Sequence, residues 1–326
     1  MKIAIFSADE PNTTAQHFGD VGDENFQVDL YTKQKNINDC GYDLVLWVDP
    51  CNFLPLEFEN FKGIKVAYFI DTHRAISKRI LMSFCFDYIF VAQRAALSKF
   101  KHNNNRFWLP PAFNPKYLEQ REERAFDVSF IGNIGHRNSK RGEKIRQIVQ
   151  SFHHPEFKGY HFPDMLRVYQ NSKIVLNATI GSELNMRFFE GIGCGAIVLT
   201  DQSQECVGGL FEEGKDFIRF TTAQDAISKI HHILDNYDYF KELALKSQEK
   251  VLQEHTYLAR LQQIVNTIQP SQKKLITFIQ IGLFYLSANN LQNYNVKTYK
   301  ERLWKFFLHS VNFLRNARAE INRHVI

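Results

Sequence analysis

Two stretches of this sequence combine residue types that can do chemistry on a charged ligand. The first is Tyr169 to Asp201, YQNSKIVLNATIGSELNMRFFEGIGCGAIVLTD, where Arg187 and Glu190 stand three apart. That spacing puts both on one face of a helix starting near Asn185. A helix start directs free N–H groups and a positive dipole end at an anion. An arginine can pair with phosphate, and a carboxylate can accept two hydrogen bonds from vicinal ribose hydroxyls. Together they describe a nucleotide diphosphate site; the competing reading is an ordinary ion pair on a helix surface. Gly191, Gly193 and Gly195 each cost roughly 1 kcal/mol relative to Ala inside a helix. They imply a helix ending in a tight turn, or close backbone packing.

The second stretch is Gly132 to Arg141, GNIGHRNSKR. Its glycines let the backbone approach a ligand, Asn133 adds a polar turn residue, and Arg137, Lys140 and Arg141 can neutralise a diphosphate. It is neither a P-loop nor a GxGxxG fingerprint, so an ATPase or a dehydrogenase finds no support in it. A solvated turn with a basic helix start competes with the ligand reading. Further forward, Asp71 and His73 in FIDTHR follow a predicted strand and can orient or deprotonate a hydroxyl. The competing role for Asp71 is to cap the next helix, and for His73 to pack locally. Asp49, in WVDP, is a strand-end residue of the same kind.

These residues need a scaffold, and the sequence supplies strands alternating with helices. Lys2–Phe6, Gln27–Tyr31, Leu44–Val48, Val66–Ile70 and Tyr88–Val91 are short apolar runs, as expected of strands buried on both faces of a parallel sheet. Helix-like segments cover Arg74–Phe84 and Gln93–Lys101. The proline-rich Leu109–Lys116 marks a connection. A second series follows, with strands at 127–132, 173–176, 196–200 and 217–220. Its helices span about 140–152 and lie near Asp164, Asn185, Thr222 and Asp238. The fold class expected is α/β, with two Rossmann-like doubly wound lobes and a helical C-terminal extension. In such sheets ligands sit at the carboxyl ends of strands, here the loops after Ile131, Leu176 and Thr200.

Composition narrows the function classes. A hydrophobic share of 44% and a charged share of 23% are those of a globular protein, not of a disordered or membrane chain. The five cysteines show no CxxC or Cys/His metal spacing, which favours reduced thiols and argues against zinc. The opening MKIAIFSADE has no signal pattern, so a cytoplasmic location is expected. From Ser271 to Ile326 there are five Lys and four Arg against two Glu. The basic character therefore belongs to the tail, and a nearly neutral body argues against a general nucleic-acid-binding role. No DxD sequence occurs, so no metal-binding carboxylate pair is suggested.

With these motifs in order, the chain resembles the CgeB-like (spore maturation protein-like) branch of the group 1 glycosyltransferases. Tyr169 and Ser172–Asn177 match its YxxSKIxLN run. Asn185, Arg187, Phe189 and Glu190 match its NxRxFE helix, and Gly195, Ala196 and Leu199–Asp201 its GaxxLTD strand. Leu210–Gly214 and His255, Thr256, Tyr257 and Arg260 extend the likeness, which covers about 127–260. The resemblance implies a GT-B fold, with an acceptor-side lobe at 1–115, a nucleotide-sugar lobe at 116–255 and a closing helix at 256–270 returning to the first lobe. It implies a metal-independent transfer of sugar from a nucleotide diphosphate sugar to a glycan, lipid-linked or protein acceptor, leaning towards retention. No separate cofactor is expected. Gly132, Asn133, Arg137, Lys140, Asn185, Arg187 and Glu190 are then donor-binding candidates, and Asp71 and His73 catalytic ones. In the wider group's pair of glutamates Glu190 matches the second, while the first falls on Ser182. The alternatives are a nucleotide-sugar epimerase of the same fold and a catalytically silent nucleotide-sugar-binding protein.

Residues 271–326 form a separate element in this reading. Leu303, Trp304, Phe307, Leu308, Val311, Leu314 and Ile321 make an apolar stripe with Lys305, Arg315, Arg318 and Arg323 around it. Such a basic amphipathic segment fits the inner face of an anionic membrane, self-association, or packing on the protein's own body.

Overall fold

The computed structural model describes residues 1–7, 13–50, 54–72, 76–119, 123–134, 139–156, 159–179, 184–202 and 207–268. The whole of 271–326, and with it the amphipathic tail, lies outside the described residues.

The first lobe is built on a parallel sheet in the order β2-β1-β3-β4-β5-β6. Its strands are β1 (Lys2–Phe6), β2 (Gln27–Tyr31), β3 (Leu44–Val48), β4 (Ile64–Phe69), β5 (Tyr88–Val91) and β6 (Arg106–Trp108). Side chains alternate across a strand, so one sequence feeds two cores. Ala4, Phe6, Val45, Trp47, Ala67 and Phe69 face one layer with Met82 of α2 (Ile76–Ser83). Ile3, Ile5, Leu44, Leu46, Val66 and Tyr68 face the other, with Phe18 of α1 (Thr13–Gly19). Because every residue of β3 and β4 is buried, these strands read as continuous apolar runs. The exception in type is Lys65, whose ammonium donates to the Phe61 carbonyl at 2.8 Å.

The second lobe is a parallel sheet in the order β10-β9-β8-β7: β7 (Phe126–Ser129), β8 (Ser172–Asn177), β9 (Ile197–Thr200) and β10 (Ile218–Arg219). One face packs Val128, Ile174, Leu176 and Leu199 under α3 (Lys140–Val149) and α6 (Ala223–Asp235). The other packs Val175 and Val198 against α4 (Asp164–Gln170), α5 (Met186–Gly193) and Val251 of α7 (Tyr237–Glu254).

The last described helix, α8 (Tyr257–Thr267), belongs to the first lobe by its packing. Tyr257, Leu261 and Ile264 join the layer that holds Phe18, Leu46 and Tyr68. The two crossings of the chain meet where Phe113 N donates to His255 O (2.9 Å) and Tyr257 N to Phe113 O (3.2 Å). Arg260 locks that crossing: Nε donates to Pro110 O at 2.9 Å, and Nη2 to Pro111 O at 3.2 Å. Burial among these groups lowers its pKa to about 10.

Three local readings change. The helix expected over Gln93–Lys101 is a 3-10 helix at Arg94–Lys99. The expected strand at 217–220 narrows to Ile218–Arg219. Helix α1 and strand β6 were not anticipated: each is short, and neither carries enough periods of an apolar pattern to stand out.

Candidate functional site

The site forms where β7, β8 and β9 end and α5 begins. Asn185 caps α5, its Oδ1 accepting from Phe188 N at 3.2 Å. Extended φ and ψ at this residue are those of a cap, so the Asn stops the loop and starts the helix. Close packing explains the glycines after it. A Cβ on Gly191 would lie 2.7 Å from Val198 Cγ2, and one on Gly193 2.5 Å from the Phe113 ring. Gly195 ends the turn at φ 70°, so both expectations for this glycine run are met.

Arg187 lies in the first turn of α5 and is held by several contacts. Its Nε donates to Ile131 O (2.9 Å), its Nη1 donates to Asn177 Oδ1 (3.1 Å), and its guanidinium lies 4.4 Å from the centre of the Phe130 ring. Nη2 abuts Gly132, whose φ of 146° and lack of a side chain make room for it. Arg141 approaches the same ring at 5.5 Å and donates to Asn133 O and Ala178 O, both at 2.7 Å. It thereby clamps the loop after β7 to the loop after β8. Neither arginine forms an ion pair with a described carboxylate. Desolvation and the neighbouring Arg187 charge both lower the pKa of Arg141. Beside them is a cleft of about 490 Å³, lined by Phe130–Ile134, Gly159 and Tyr160.

Glu190 is 5% exposed, and no hydrogen bond from a described residue reaches its carboxylate. Burial pushes its pKa up to about 7, against the opposing pull of Arg187. The surface ion pair is thus excluded: Arg187 and Glu190 share a helix face and sense each other's charge, yet Glu190 is buried and forms no ion pair with a described residue. A buried carboxylate that lacks donors is costly, and a ligand that brings donors suits it.

In the first lobe, Asp49 and Asp71 end the adjacent strands β3 and β4, with φ of 49° and 48°. Asp49 accepts a bidentate pair from Arg79, at 3.0 and 2.8 Å. Burial still raises its pKa to about 6, and the charge of Asp71 adds to that. Asp71 is exposed. Its left-handed φ is not that of an N-cap, which is extended, so the capping role fails. After α1, Asp20 accepts from Asn114, Lys116 and Tyr117 (3.1, 2.6 and 3.0 Å), and Asn114 also donates to His17 Nδ1 at 3.0 Å. Burial lowers the His17 pKa to about 4, so this histidine is neutral.

Of the candidates from sequence, Gly132, Asn133, Asn185, Arg187 and Glu190 come together here. Lys140 is exposed on the first turn of α3, away from the hydrogen bonds of this cluster. Arg137 and His73 lie outside the described residues. Sequence reasoning assigned no role to Phe130 or Tyr160, and it quoted Asn177 only as part of a motif. Their signal was position alone, at or just beyond the carboxyl ends of strands.

Residues 117–266 match the family described as glycosyl transferase-like. Among solved structures, the chain is similar to Anabaena HepE in complex with UDP and glucose, at 12% identity and a TM-score of 0.55, over 82% of this chain and 99% of that one. It is similar to T4 phage BGT in complex with its UDP-glucose substrate, at 14% identity and 0.52, over 82% and 97%. It is also similar to sucrose-phosphate synthase from Thermosynechococcus elongatus, at 13% and 0.53, over 82% and 98%. No curated protein matches the sequence. The class these findings define is the GT-B fold, two α/β lobes each built on a parallel sheet. Its second lobe, with the closing helix, carries the glycosyl transferase-like match.

Proposed function

We propose that this protein transfers a sugar from a nucleotide diphosphate sugar, bound at the carboxyl ends of β7 and β8, to an acceptor on the first lobe. The observation that carries this reading is the gathering of unlike charges beside the loop after β7. Arg187 and Arg141 flank Phe130 and form no ion pair with a carboxylate among the described residues, and Glu190 is buried with no hydrogen-bond donor among them. A diphosphate answers the arginines, and a ribose diol answers the glutamate. UDP and UDP-glucose, named with the similar HepE and BGT structures, are ligands of this chemical type.

Sugar transfer needs the departing diphosphate stabilised while the anomeric carbon gains positive charge. Fixed guanidiniums and the start of α5 supply that stabilisation without reorganising during the reaction. On this basis the transfer is metal-independent and should survive EDTA. Asp71, exposed at the end of β4, is the candidate to accept the acceptor proton. Retention, the CgeB-like branch and an acceptor at the inner membrane face belong to the same proposal. For the last, anionic vesicles should sediment the full chain but not a chain ending at Pro270. The test of the reaction is a panel of nucleotide sugars without acceptor. Slow hydrolysis to free sugar and nucleoside diphosphate is expected; epimer formation without nucleotide release, or binding without turnover, would contradict transfer.

A further inference from the structure

Asn177, the last residue of β8, is wholly buried and joins three elements. Its Oδ1 accepts from Asn185 Nδ2 (3.0 Å) and Arg187 Nη1 (3.1 Å). Its Nδ2 donates to Thr200 Oγ1 (3.3 Å) and Gln202 Oε1 (3.4 Å). The partners fix the amide's orientation. Thr200 spends its hydroxyl hydrogen on the Asn177 carbonyl at 3.0 Å, so its oxygen accepts on the other side, while a guanidinium only donates. The position therefore needs an acceptor facing α5 and a donor facing β9, which a primary amide provides.

We propose that Asn177 is a positioning residue that fixes the Arg187 guanidinium for a diphosphate without neutralising it. A carboxylate in its place would hold the arginine more tightly and cancel the charge the ligand needs. Ile131 O and the Phe130 face also constrain Arg187, and neither carries a charge. All three of these contacts thus orient the cation without adding a negative charge beside it. This inference rests on the donor-binding reading above and assigns that site a residue acting through Arg187.

The test uses the full chain and calorimetry with UDP, GDP, ADP and dTDP, then with the nucleoside of whichever binds tightest. Asn177→Asp keeps the side chain's size, and it should weaken diphosphate binding about tenfold or more while nucleoside binding stays within about twofold. In an Arg187→Ala background the same change should have no further effect on the diphosphate, because the route through Arg187 is gone. Equal losses for diphosphate and nucleoside, additive losses in the double variant, or unchanged diphosphate affinity in folded Asn177→Asp would each overturn the proposal. If Asn177→Asp fails to fold, Asn177→Ser should show the same selective loss, and an unselective one counts against the idea. Failure of all four diphosphates to bind the unmodified chain would sink the functional reading itself. Loss of binding in Arg187→Ala with none in the Asn177 variants would sink only this inference.

Discussion

The two lobes end their strands in similar loops but hold their arginines and buried carboxylates in different ways. At the carboxyl ends of the first sheet, Asp49 is gripped by Arg79, and after α1 Asp20 is held by Asn114, Lys116 and Tyr117. At the carboxyl ends of the second, Arg187 and Arg141 are held by neutral carbonyls, an amide and an aromatic face. Glu190 is buried, with no hydrogen-bond donor among the described residues. Charges satisfied internally stabilise a fold; charges held rigid yet unsatisfied are prepared for a ligand. Fold stability and donor binding should therefore respond to different residues.

The largest effect is expected from Arg187→Ala. Removing a cation from a desolvated anion site commonly costs 2–5 kcal/mol, so diphosphate affinity should fall by about 100-fold in calorimetry, with thermal stability changed far less. Arg79→Ala is the converse. It strands Asp49, and the loss should be about 2 kcal/mol near neutral pH, with donor affinity intact. The sign follows from Asp49. Its folded pKa already lies above the ordinary carboxylate value, at about 6, and loses its cation in the variant. The instability should thus fade as pH falls below about 6, where the folded carboxyl becomes neutral in parent and variant alike. Denaturant melts at several pH values check this, and a loss of nucleotide affinity in Arg79→Ala would break the division between the lobes.

Glu190→Gln sharpens the same comparison. Its folded pKa of about 7 exceeds the ordinary 4.5, so the native glutamate costs stability that grows as pH rises through this window. The glutamine variant should be more stable than the parent at pH 8, by on the order of 2 kcal/mol, and nearly equal to it near pH 4. The smallest effect is at Asn185. Replacing the cap by Ala should cost about 1 kcal/mol in thermal melts, with a modest loss of binding because Arg187 shares the Asn177 anchor.

Much of this was legible in the sequence, for physical reasons. Strands such as LVLWV, buried on both faces, announce themselves by composition. The Arg187–Glu190 spacing and the glycine run announce a helix tightly packed at its end. What the sequence hid was the burial of Glu190, which depends on neighbours far along the chain, and the orientation of Arg187. The latter is set by Ile131 O across a separation of 56 residues. Short elements such as β6 were hidden as well, because three residues, RFW, carry too little pattern to register. Asp71 shows the reverse failure: its type suggested a cap, and only its backbone angle removes that role.

The central claim, that the buried Glu190 carboxylate receives the hydroxyls of a nucleotide, is tested most directly by the pH dependence of nucleoside diphosphate affinity. Hydrogen bonds from a ribose favour the ionised carboxylate, so binding should draw Glu190 from its empty-site pKa of about 7 and release a proton. Calorimetry from pH 6 to 8 in buffers of different ionisation enthalpy should show affinity tightening with pH and a proton leaving. Glu190→Gln should bind more weakly and lose the part of that pH dependence which the glutamate contributes. Equal affinities and identical pH profiles for the two proteins would contradict the account.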